Sequence, residues 1–181
     1  MKLLSTKTCW SLLTFATLFV IGCESSPTLD PAMLALREKY VLTAEPADAV
    51  SLEKAKSEIA EHPTIIVTGK IGGTELEPFE SGKASFIISE LPQPGAGHGH
   101  ADGEGDNCPF CKRRAAKAPK AIVQFVNEKQ EILPIDAREL FGVDKDQVVT
   151  ITGKAELNSL EMLVITASGV YLAEKPASAN P

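Results

Sequence analysis

His98, His100, Cys108 and Cys111 fall within fourteen residues of one another and are the side chains of this chain best suited to chemistry. Imidazole nitrogen and thiolate sulfur together make a tetrahedral shell for zinc, and the softness of sulfur also admits copper as Cu(I). In extended backbone, His98 and His100 point to the same side, and the Cys108-Pro109-Phe110-Cys111 turn offers two sulfurs to one ion. Lys112-Arg113-Arg114 follow directly and favour the thiolate form. The expected metal ligands are therefore His98, His100, Cys108 and Cys111, holding zinc, with copper as the alternative. Two other readings of the same residues stand beside it. In one, Cys108 and Cys111 pair as a local disulfide with no cofactor; in the other, the segment is a Gly/His-rich linker that holds metal only weakly. The neighbouring acids Asp102, Glu104 and Asp106 do not make a calcium loop: Asn107 stands where such a loop needs glycine, and Arg113 where it needs glutamate.

These residues lie between Leu91 and Pro119, a stretch of 29 residues with no strand pattern and little to bury. That is well beyond an ordinary connection, and such loops carry function or lack order. Cys-Pro-Phe-Cys resembles the redox pair of thioredoxin-like proteins. That resemblance implies Cys108 as nucleophile and Cys111 as resolving thiol. The chain does not alternate helices and strands as that fold does.

The segments that must position the loop read clearly. Asp30-Pro31 opens a helix through Tyr40, and a second helix is expected over 49–61, stopped by His62-Pro63. Strands are expected at Thr64–Ile71, 84–90, 121–127 and 147–156, with a short return strand at 131–135 and a last strand at 161–172. Asp136 and Gly142 bracket a brief helix, Ala137–Phe141. Val67-Thr68-Gly69-Lys70 recurs as Ile151-Thr152-Gly153-Lys154, each placing glycine where a closed sheet bends. Five or six strands, a helix before the last hairpin and glycine in two long strands resemble an OB-fold. The expected class is mainly β: a small OB-like barrel with two N-terminal helices and a long loop insertion.

At the N-terminus, Lys2 and Lys7 precede an apolar stretch that ends Val20-Ile21-Gly22-Cys23. A basic start, an apolar run and small residues before a cut mark a secretory signal. The cysteine after the cut resembles the lipobox of bacterial lipoproteins. That resemblance implies removal of residues 1–22, acylation of Cys23 (palmitate-type chains) and attachment to a bacterial membrane on its periplasmic face or at the cell surface. Thr8–Gly22 is shorter than the roughly 20 residues a spanning helix needs, so attachment depends on the lipid. The expected organisation is a signal peptide over 1–22, a tether with a short helix over 23–47, the helix and barrel domain over 48–173 with the 91–119 loop, and a loose tail over 174–181.

Losing the signal removes Lys2 and Lys7 and takes the formal charge from -6 to -8. An acidic, aromatic-poor chain repels phosphate backbones and offers few stacking platforms, which excludes nucleic acid as a partner. His62 sits at a helix end, where a cation complements the dipole. Neither Thr-Gly-Lys belongs to a phosphate loop, and no Gly-x-Ser-x-Gly elbow exists. The sequence thus predicts an exported, lipid-anchored binding protein with a metal-holding loop, an envelope protein partner and no catalysis of its own. Thiol-disulfide exchange and a disulfide-stapled structural role are the alternatives.

Overall fold

The computed structural model describes residues 30–73, 77–91, 113 and 117–173. Helix α1 (Pro31–Tyr40) starts at Asp30, whose carboxylate accepts from the Ala32 amide at 2.9 Å, with proline in its first turn. Asp30 thereby satisfies one of the amides a helix leaves unpaired at its start. Helix α2 (Leu52–Glu58) is capped by Ser51, which accepts from the Lys54 amide at 3.2 Å. Helix α3 (Ala137–Phe141) is capped by Asp136 and closed by Gly142 at φ 70°, a left-handed conformation that glycine adopts without steric cost.

Five strands, β1 (Thr64–Ile71), β2 (Ser85–Ser89), β3 (Lys120–Gln124), β4 (Val148–Leu157) and β5 (Leu163–Leu172), form one sheet in the order β1-β2-β3-β5-β4. Pairing of β4 back onto β1 closes it, from Thr64 opposite Lys154 to Lys70 opposite Val148. All pairs are antiparallel except β3 with β5. Burial alternates along β1 and β3, the period-two pattern that sends every second side chain inward. The β4–β5 register shifts between Thr152 and Gly153. There a Cβ on Gly153 would stand 2.5 Å from the Thr166 carbonyl oxygen, so the strands approach too closely for any side chain.

Aromatic rings fill the core. Phe125 is fully buried, 4.4 Å from Phe141 and 5.3 Å edge-on to Tyr40 between ring centroids. The Tyr40 hydroxyl donates to the Val126 carbonyl at 2.8 Å, and Val41 bridges Val170. These contacts seat α1 and α3 at the C-terminal ends of β3 and β5. Helix α2 covers the opposite mouth. It buries Leu52 and Ala55, and its Glu53 amide donates to the Glu90 carboxylate just past β2, at 3.1 Å.

The expected class is corrected. About a fifth of the described residues are helical and just over a third are strand, with α1, α2 and α3 scattered among the strands. That is a mixed α/β fold, and the OB-like, mainly β assignment is withdrawn. The helices close both mouths of the sheet and bury Tyr40, Leu52, Ala55, Leu140 and Phe141, so they build the core rather than decorate it.

Candidate functional site

The turn joining β4 to β5 is built on one asparagine. The Asn158 side-chain oxygen accepts from the amides of Leu160 at 3.0 Å and Met162 at 2.9 Å. Its own amide donates to the Met162 carbonyl at 3.0 Å, and the Glu161 amide returns to the Asn158 carbonyl at 2.9 Å. The turn after β3 is built the same way on Asn127, whose side-chain oxygen accepts from Lys129 at 2.8 Å and Glu131 at 3.0 Å. In both, the fourth residue has positive φ, 57° at Glu161 and 63° at Gln130. The third residue differs: Lys129 in one turn, Leu160 in the other. Turn geometry therefore does not call for a leucine, yet Leu160 is held out to solvent at 78 % exposure and Leu157 beside it at 43 %. Leu34 on α1 is the remaining exposed large hydrophobic among the described residues.

Leu160 and Met162 form one wall of an open groove of 370 Å³. The other walls come from α2, through Leu52 and Lys56, and from the segment entering β3, through Lys117, Pro119 and Lys120. Lys56 and Lys117 are exposed, and Lys120 is half-buried, with its ammonium 3.4 Å from the Ala118 carbonyl oxygen. Lys56, Lys117 and Lys120 share the apolar floor with Glu161, and Glu90 stands beside it, with its amide on the Pro119 carbonyl at 2.9 Å. An apolar floor with a few fixed charges is the usual make-up of a recognition surface.

Two further concavities lie elsewhere. One, of 460 Å³, is at the α1–α3 end, between Asp30, Met33, Gly82 and Glu139. A smaller one, of 200 Å³, is beside His62, with Glu58 and Asp48. His62 is exposed just past the end of α2, and its amide donates to the Glu58 carbonyl at 2.9 Å. That fits the expectation of a histidine at a helix terminus.

Among the described residues, the acid with a perturbed carboxyl belongs to the scaffold. Arg138 donates to Asp136 through Nε at 3.1 Å and Nη2 at 3.0 Å, and this paired hydrogen bond holds the Asp136 carboxyl below the usual carboxylate range. The same pairing raises the guanidinium of Arg138, which also lies 5.2 Å from the Phe79 ring centroid and 3.7 Å from Glu77. Because Asp136 caps α3 as well, the pair pins a short helix rather than marking chemistry.

The expected metal cofactor is corrected. Among the described residues no group of three or more His, Cys, Asp or Glu side chains could hold a metal ion, and none of the described residues is a cysteine. His98, His100, Cys108 and Cys111 lie outside the described residues, as does Cys23. Zinc or copper as cofactor, a metal ion as partner, the His-x-His and Cys-Pro-x-Cys loop as a family mark, and the redox and disulfide-stapled alternatives are all withdrawn with it. The described site residues bring together an apolar tip and lysines instead. Compared with protein-family models and with curated proteins, the chain matches none.

The groove leaves no local pattern in the sequence, because its walls come from residues 52–56, 117–120 and 160–163, far apart along the chain. One local signal was present: Leu160 stands in a turn, where an apolar side chain has nothing to pack against.

Proposed function

We infer that this protein is an exported, lipid-anchored envelope protein whose folded domain is a binding module for a protein partner. The observation that carries the reading is the placement of Cys23. It ends the basic-then-apolar stretch from Lys2 to Gly22 and stands seven residues before Asp30, the cap of the first helix. A lipid at Cys23 would therefore hold the domain on a short tether. No helix of the described residues is long and apolar enough to cross a membrane, which is compatible with attachment through acyl chains.

The domain itself supports binding through its surface. Its interior is filled by Phe86, Phe125, Phe141, Ile88 and Ile151, so ligands meet it at the grooves. The test is fractionation of cells expressing the full chain. The wild-type protein sediments with membranes and is released by detergent, whereas Cys23→Ser remains in the soluble exported fraction or keeps its signal uncleaved. Equal membrane association of Cys23→Ser with a cleaved signal refutes the lipid anchor.

A further inference from the structure

We propose that residues 41–50 form a strap that opens as a unit while the sheet beneath it stays folded, and that opening gives access to a strip of hydroxyl groups on the outer face of β1, β4 and β5.

One row of bridged residues defines the strap. Ile151 of β4 pairs with Val170 of β5 on one side and with Val67 of β1 on the other. Val41 bridges Val170 on the edge of β5 away from β4, and Val50 bridges Val67 on the edge of β1 away from β4. The row therefore reads Val41, Val170, Ile151, Val67, Val50, and the chain between its two ends crosses over the middle. Four interstrand spacings measure about 19 Å along the sheet, whereas the Cα steps from Val41 to Val50 reach about 30 Å when extended. A turn at Ala47-Asp48, with Asp48 at φ 63°, takes up the slack. The flanks on either side are fixed, because Tyr40 packs against Phe125 and Leu52 is fully buried.

The strap itself is weakly attached. Its backbone hydrogen bonds to the sheet stand at its two ends: the Leu42 amide on the Val170 carbonyl at 2.8 Å, the Val50 amide on the Ile66 carbonyl at 2.9 Å, and the Thr68 amide on the Val50 carbonyl at 3.4 Å. Val41, Leu42, Pro46 and Val50 are half-buried and the rest of the strap is exposed. A segment with few buried contacts opens at much lower cost than the whole domain unfolds.

The surface it covers is polar. Val149 and Ile151 are in the core, so Thr150 between them points outward, yet it is only 2 % exposed. Its hydroxyl hydrogen-bonds that of Thr68 at 2.9 Å and donates to the Glu45 carboxylate at 3.5 Å. Thr152 and Ser168 continue the strip, their hydroxyls 3.3 Å apart. Leu42 covers Gly169, where a Cβ would stand 2.9 Å from the leucine Cδ2. Leu42 and Glu45 thus occupy the strip, and a hydrogen-bonding ligand reaches it only when they leave.

The test is hydrogen exchange of the full chain, resolved to single amides, across a series of low urea concentrations. The amides of Leu42, Val50 and Thr68 should exchange together, on the order of a hundred-fold faster than that of Phe125, and with a smaller urea dependence, since little surface opens. Leu42→Ala, and separately Gly169→Ala, should each speed the three amides by about ten-fold and leave Phe125 unchanged, which also shows that the variants fold. Because Gly169→Ala acts by pushing Leu42 away, it should add little in the Leu42→Ala background. In a Thr150→Cys variant, alkylation of that cysteine, located by peptide mass, should quicken with the same substitutions. Exchange at the rate and urea dependence of Phe125, separate rates for the three strap amides, full additivity of the two variants, or alkylation that they leave unmoved overturns the proposal. The strap does not depend on the lipid at Cys23, so each reading fails without the other.

Discussion

Replacing Phe125 with alanine removes the ring on which three others converge. Phe125 has no exposed surface and lies 4.4 Å from Phe141, 5.3 Å from Tyr40 and 6.2 Å from Phe86 between centroids. A buried phenylalanine cut to alanine costs about 3–5 kcal/mol, the transfer of the ring plus the cavity left behind. Phe125 sits at the upper end of that range, because its neighbours come from α1, β2 and α3 and cannot all collapse inward together. Against a total stability of about 5–15 kcal/mol for a domain, this is a large fraction. At about 2–4 °C per kcal/mol for a domain of this size, the melting temperature should fall by roughly 10–20 °C. The assay is thermal and urea unfolding followed by far-ultraviolet dichroism, with Leu160→Ala as the matched control. Leu160 is exposed, so its truncation should shift stability by less than about 0.5 kcal/mol. If Phe125→Ala unfolds within 1 kcal/mol of wild type, or Leu160→Ala proves the costlier change, the assignment of core and surface is wrong.

Two further predictions concern the scaffold. Gly153→Ala should destabilise by about 1–3 kcal/mol, since the new methyl meets backbone atoms at 2.5 and 2.9 Å that cannot swing aside. Gly82→Ala, with open space around it but φ at +72°, should cost only about 1 kcal/mol; urea midpoints rank the two. The Asp136 carboxyl is held below its ordinary value by Arg138, so its contribution is complete above the unfolded value of about 3.9 and disappears as pH falls through the lowered folded value. Asp136→Asn keeps the cap but loses the charge. Its urea midpoint should lie below that of wild type at neutral pH and converge with it in acid, and a gap that widens in acid contradicts the pairing.

Local chemistry made much of the scaffold legible. Asp30-Pro31 and Asp136 through Gly142 are start and stop signals, and α1 and α3 occupy the expected residues. β1 likewise matches its β-branched run. Helix α2 is shorter than the expected 49–61. Val50 is extended and bridges Val67, Ser51 takes the cap, and beyond Glu58 the amides of Glu61 and His62 both turn back to the Glu58 carbonyl. The return strand expected at 131–135 reduces to one bridge, Val126 with Ile132. Pro134 has no amide to continue a ladder there. The mainly β class failed although all three helices were expected, because they were read as additions to a barrel, whereas packing gives them a full share of the core. The groove was out of reach for a different reason. Lys56, Lys117 and Leu160 become neighbours only when the sheet closes, and no periodicity along the chain records that.

The central expectation is an acylated Cys23 at the start of the mature chain. The intact mass of the protein extracted from membranes, with fragmentation of its N-terminal peptide, addresses this directly. The expected chain begins at Cys23, lacks residues 1–22 and carries acyl mass on that cysteine. A chain that keeps Met1, or one that begins elsewhere with an unmodified cysteine, contradicts it.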